Sequence, residues 1–133
     1  MKWERLLGLV MLTHMLLFSI VGCQQTTDST PQGKPFYSID LQDGFRHDSV
    51  QVKLDNRVIY DDTASTSIGL SLARRLTPGI SSGEHQIQVL LPVLRVQADT
   101  TVDFQDTLVV GVNLNRSSNL ISFTVYHFQV MYR

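Results

Sequence analysis

From residue 36 to the end of the chain, apolar and polar residues change places at every second position, the period of a strand with one buried and one wet face. A helix would need apolar residues three and four apart, and no long stretch supplies them. Residues 49–54 carry the pattern most cleanly, with Val50, Val52 and Leu54 on one side and Gln51 and Lys53 on the other. Asp55 and Asn56 follow, two residues that tolerate positive φ, and then Arg57, Val58, Ile59 and Tyr60, so a tight hairpin is expected here. The same reading gives strands at 67–72 (Ile68, Leu70 and Leu72 inward) and 84–91 (His85, Ile87, Val89 and Leu91 inward). It also gives Leu94, Val96 and Ala98 as another inward set, followed across a polar corner by Val102 and Phe104, and a strand at 108–114, with Leu108, Val110, Val112 and Leu114 inward. A helical turn is the alternative at 73–76, and Pro78-Gly79, Ser81-Ser82-Gly83 and Pro92 break whatever adjoins them. Residues 120–132 change phase: Ile121, Phe123 and Val125 hold one parity, and Phe128, Val130 and Tyr132 hold the other. A bulge near Tyr126, or a strand covered on both faces, would reconcile the two halves.

Short alternating strands with turn signals every 8 to 12 residues or so predict an all-β fold, a single antiparallel immunoglobulin-like β-sandwich of about seven strands over 36–133. A small barrel is the alternative. With 133 residues, the chain has room for one such domain of roughly 100 residues. Pro78-Gly79 and then Gly83-Glu84-His85-Gln86-Ile87-Gln88-Val89 resemble, across an insertion, the strand signature of PEGA and other immunoglobulin-like extracytoplasmic domains. That resemblance implies a fold class and no chemistry.

The first residues follow a different rule. Lys2 and Arg5 precede an almost wholly apolar run at 6–20, which closes on Ile20, Val21, Gly22 and Cys23. These are the three parts of an export signal. The run is shorter than the roughly 20 residues that span a bilayer, and no basic flank follows it. Ile20-Val21-Gly22-Cys23 resembles the lipobox of bacterial lipoprotein signal peptides. The resemblance implies that residues 1–22 are removed by cleavage after Gly22, that the Cys23 sulfur receives diacylglycerol, and that the new amino terminus is acylated. At about 0.8 kcal/mol per buried methylene, two or more acyl chains make a stable anchor. An uncleaved signal anchor, or a secreted protein cut elsewhere, is the alternative. Residues 23–35 then form the lipidated cysteine and a polar tether with two prolines and a glycine, reaching at most about 40 Å. The expected address is the bacterial cell envelope, on the membrane through lipid; Gln24 after the cysteine implies the outer membrane where the host has two.

Chemistry is harder to find. Formal charge is −1, and the basic residues are scattered, so no nucleic-acid partner is expected. Arg74 and Arg75 are adjacent and read as a solvated surface pair. A lone cysteine builds neither an internal disulfide nor a structural zinc site. No G-x-S-x-G elbow occurs. His47, His85 and His127 fall on separate elements, and His85 and His127 read as strand-packing residues. A loop-borne calcium site would draw on Asp40, Asp43 and Asp48, Asp55, Asp61 and Asp62, or Asp99, Asp103 and Asp106, but aspartate is expected in turns without any metal. No catalytic residue, cofactor or metal is therefore assigned. Tyr126, then Tyr60, are the candidates for an exposed ring on which a sugar could stack. The functional expectation is a non-enzymatic envelope lipoprotein that presents a sandwich for protein interaction or envelope structure. A carbohydrate or small-ligand binding module is the alternative.

Overall fold

Eight strands in two sheets make up residues 34–132, the part of the chain that the computed structural model describes. They are β1 (Tyr37–Leu41), β2 (Arg46–Leu54), β3 (Arg57–Ser65), β4 (Arg74–Leu76), β5 (Gly83–Leu91), β6 (Val96–Phe104), β7 (Leu108–Asn115) and β8 (Leu120–Tyr126). Sheet A runs β4-β1-β7-β8 and sheet B runs β3-β2-β5-β6. The all-β sandwich expected from the alternation is the architecture observed. Two details refine it. The count is eight, and β1 lies parallel to β7 while every other pair is antiparallel. The strand order also differs from the A-B-E-D and C-F-G sheets of immunoglobulin constant domains, so the likeness to that group rests on two packed sheets and not on connectivity.

Alternation explains the core. Val50, Val52 and Leu54 from β2, Ile87, Val89 and Leu91 from β5, and Leu108, Val110, Val112 and Leu114 from β7 all point between the sheets and are buried. Phe45 and Phe104 are the largest fully buried side chains. Each such residue contributes about 1.5 to 3 kcal/mol by leaving water, which outweighs any surface pairing described below. The hairpin expected at Asp55-Asn56 is present, with both residues at positive φ and Leu54 opposite Arg57.

One expectation and two of the possibilities raised beside it fail for physical reasons. Residues 67–72 are not a strand. They form a loop closed on itself by Ser67 N–H to Leu72 O (3.1 Å) and Ser71 N–H to Ser67 O (3.0 Å), with Ile68 fully exposed. This segment crosses from sheet B to sheet A, where no strand edge receives it, so its alternation has nothing to pack against. Residues 74–76, where a helical turn was the alternative, are strand β4, paired with β1. No bulge lies near Tyr126: β7 and β8 pair in unbroken register from Asn115–Leu120 to Val109–Tyr126. The parity changes because the ladder stops there, and residues 127–132 leave it.

Gly44, between β1 and β2, sits at φ +94, and a Cβ there would stand 1.8 Å from Leu114 O. Gly44→Ala is therefore expected to lose about 2 to 4 kcal/mol, combining left-handed strain with overpacking. Urea unfolding would measure it, and a loss under about 0.5 kcal/mol would show that the turn yields freely.

Candidate functional site

Sheet A has an unusual outer face. Along β1, Tyr37, Ile39 and Leu41 point into the core, so Ser38, Asp40 and Gln42 point away from it, where water would normally satisfy them. All three are buried, Ser38 and Asp40 at 0% exposure. The cover comes from the residues after β8. Tyr132 O–H donates to Asp40 Oδ2 (2.8 Å) and accepts from Gln42 Nε2 (2.7 Å). Asn113 Nδ2 donates to Gln42 Oε1 (3.1 Å), and Asp43 N–H donates to Asn113 Oδ1 (3.2 Å), extending the chain of bonds to the neighbouring turn.

Arg75 of β4 pairs with Asp40 through Nε (3.0 Å to Oδ1) and Nη2 (2.8 Å to Oδ2), a two-pronged geometry suited to a buried carboxylate. Its Nη2 also donates to Val130 O (2.8 Å), and its guanidinium carbon lies 5.2 Å from the Tyr132 ring centroid and 5.8 Å from that of Phe36. The hydrogen bond to Asp40 raises the Arg75 pKa above its ordinary value. Burial pushes the Tyr132 phenol up to about 12, which keeps its proton on and aimed at Asp40. Gly111 makes room for the arrangement, since a Cβ there would stand 2.4 Å from Gln42 Oε1. Arg75 is thus no solvated surface residue, while Arg74 lies over the Tyr60 ring at 5.9 Å.

A second cluster fastens the opposite sheet. His85 Nδ1 meets Asp55 Oδ2 at 2.6 Å and Nε2 meets Ser81 O at 2.9 Å. Both partners accept hydrogen bonds, so the ring satisfies both when each nitrogen carries a proton. The bond to Asp55 raises the His85 pKa, and the bond to His85 lowers that of Asp55. The ring also packs edge-on against Phe104 at 5.7 Å. An imidazole held in this way, against a carbonyl and with no hydroxyl in place of that acceptor, is a clamp between the β2–β3 hairpin and the β4–β5 loop.

The two tyrosines chosen from sequence do not come together. Tyr60 is on β3, which lies against β4 at one lateral edge of the sandwich; Tyr126 is on β8, which lies against β6 at the other. Tyr60 is half-buried and its O–H donates to Thr63 O (2.9 Å), while Tyr126 packs edge-on to Phe128 at 5.8 Å. Cys23 and Gly22 lie outside the described residues. The aspartates suggested for calcium are divided among other duties, with Asp40 on Arg75 and Asp48 on Arg116. Among the described residues, no group of three or more His, Cys, Asp or Glu is placed to hold a metal ion, and no helix is long and apolar enough to cross a membrane. A surface groove of 680 Å³ beside the start of β1 is lined by Phe36, Tyr37, Pro78, Ile80 and Gln105 among others, and neither carboxylate nor imidazole faces it. Comparison with protein-family models, with curated proteins and with solved structures found no match.

Removing one member of a buried ion pair leaves the other charge unanswered. Arg75→Ala is accordingly expected to lose about 3 kcal/mol, and Asp40→Asn combined with Arg75→Ala less than the sum of the two single changes. Additive losses in a double-mutant cycle would contradict the coupling. The His85 clamp gives a signed pH dependence. A raised histidine pKa means stabilisation that is complete below 6.5 and fades as pH rises through the folded value; the lowered Asp55 pKa means a contribution present above 3.8 and lost as pH falls through the folded value. The difference in Tm between the wild type and His85→Asn should therefore be larger at mildly acidic pH than in alkali, and a difference that grows with pH would contradict it.

Proposed function

We propose that this chain is a non-enzymatic lipoprotein of the bacterial cell envelope, held at a membrane through lipid on Cys23 after cleavage behind Gly22, and that its sandwich presents one end to a protein partner. The anchor reading is supported by the resemblance of Ile20-Val21-Gly22-Cys23 to a lipobox. Presentation is supported by the polarity of the fold. The chain enters the sandwich at the first residue of β1, and the loops 42–45, 66–73, 92–95 and 116–119 all gather at the other end, because β1, β3, β5 and β7 each finish there. The entry of the chain and these loops thus lie at opposite ends of the sandwich.

That far end also has the composition of a contact surface. Ile68, Val93 and Leu120 are exposed there, each on or beside a different loop, and Leu70 is partly so. Four of the six non-glycine residues at positive φ, His47, Ser71, Arg95 and Asn119, lie at or beside these loops. Asn119 tolerates that region, whereas His47, Ser71 and Arg95 each cost roughly 1 to 2 kcal/mol in left-handed strain, and strain of this kind gathers at functional sites. Arg116 ties the 116–119 loop to the 42–45 loop and the start of β2, donating from Nε to Gly44 O (2.9 Å) and from Nη2 to Asp48 Oδ2 (2.6 Å). Apolar tips on a braced frame suit a protein partner, which can bury them together.

Two measurements test this reading. Labelled palmitate should enter the wild type and be absent from Cys23→Ser, and an unlabelled wild type would end the anchor reading. A photo-crosslinking residue placed at Ile68, Val93 or Leu120 in living cells should give one discrete adduct, while the same residue at Asp99, exposed on sheet B, gives none. Adducts from Asp99 alone would put the contact elsewhere.

A further inference from the structure

The residues that cover sheet A behave as a bound peptide would. Residues 128–132 form no ladder with β1, so main-chain pairing does not hold them there. Their outward side is apolar and exposed, with Phe128 at 62% and Met131 at 74%, so little hydrophobic burial holds those two side chains down. Beside the edge contact of Phe128 with Tyr126 and the packing of the Tyr132 ring on Arg75, what holds the segment is recognition of two groups. Arg75 Nη2 takes the main-chain carbonyl of Val130, and Asp40 with Gln42 takes the phenol of Tyr132 as donor and as acceptor at once. Any extended peptide with a tyrosine two residues after an accessible carbonyl offers the same pair.

The floor beneath is built more fully than this segment needs. Ser38 Oγ, two positions before Asp40 on the same face, is buried without a hydrogen-bond partner. Buried hydroxyls are nearly always paired, so Ser38 is a polar group of this face left without a partner among the described residues. Gly111, opposite Asp40 in the ladder, leaves the space that the Gln42 side chain fills.

We propose that the outer face of sheet A is a recognition groove for an extended, tyrosine-bearing peptide segment of a partner protein, and that residues 128–132 occupy it in cis until such a segment displaces them. The incoming segment would match the carbonyl and phenol contacts and add a main-chain group for Ser38. This surface is separate from the far-end loops and does not depend on the lipid anchor, so each reading can fail alone.

The test uses the full-length chain in detergent and a fluorescein-labelled peptide Phe-Gln-Val-Met-Tyr-Arg, the sequence of residues 128–133, read by fluorescence anisotropy. Tyr132→Ala frees the groove and should bind the probe saturably, at least about tenfold more tightly than the wild type, whose own segment competes. A probe with phenylalanine in place of tyrosine should bind about tenfold more weakly, because the buried Asp40 carboxylate loses a donor. Asp40→Asn added to Tyr132→Ala should weaken binding by a similar factor. Tyr132→Phe keeps the ring beside Arg75 and, as a second variant should Tyr132→Ala fail to fold, is expected to bind between the wild type and the freed chain. Absence of saturable binding to whichever variant retains a native β spectrum, or equal binding of the tyrosine and phenylalanine probes, would overturn the proposal.

Discussion

A carboxylate taken out of water must have its charge answered on the spot, and the outer half of this molecule is organised around Asp40 for that reason. Asp40 stands in the middle of β1, a strand whose five residues are all buried. The answer comes from two directions in sequence. Arg75 reaches it from β4, 35 residues away, and Tyr132 from beyond β8, 92 residues away. The shortness of β4 becomes intelligible in these terms: three residues suffice to set Arg75 opposite Asp40 and Leu76 opposite Ile39. So does the glycine at 111, where a side chain would push Gln42 away from the tyrosine it helps to hold.

Ionic staples recur at places where the ladder cannot reach. Arg75 and Asp40 secure the covering segment, His85 and Asp55 secure a hairpin to the loop before β5, and Arg116 and Asp48 join the β7–β8 turn to the start of β2. Exposed pairs of this kind contribute little, commonly under about 1 kcal/mol. Asp40 is different because it is fully buried, and Asp48 stands between, with its side chain at 11% exposure. The hydrophobic core supplies stability; the staples decide which loops and segments stay in place upon it.

Period-two alternation was enough to place most strands, the two-sheet class, the core faces of β2, β5 and β7 and the Asp55-Asn56 turn, because those features depend on residues close in sequence. It misled at 67–72, where an alternating segment meets no partner edge, since pairing is a property of neighbours and not of the segment itself. The Asp40 site was largely hidden. Ser38, Asp40 and Gln42 look like a solvent face in sequence, and their burial is caused by residues some ninety positions away. One sign was legible, the change of parity after Tyr126, which read equally as a bulge and as a strand covered on both sides. Arg75 looked solvated beside Arg74 because adjacent strand residues face opposite ways, and only β1 distinguishes them. Tyr60 and Tyr126 fell on opposite edges because strand order, which alternation does not encode, separates β3 from β8.

β1 is buried on both faces and paired to β4 on one edge and β7 on the other, so with residues 128–132 in place its amides exchange with solvent only when the whole sandwich opens. Hydrogen exchange at Ile39, Asp40 and Leu41 tests that directly. The account predicts exchange at the rate of global unfolding, slower than in the edge strands β3 and β6. Exchange at these three residues as fast as in the edge strands would show that the outer face opens on its own and that the Asp40 network does not hold it shut.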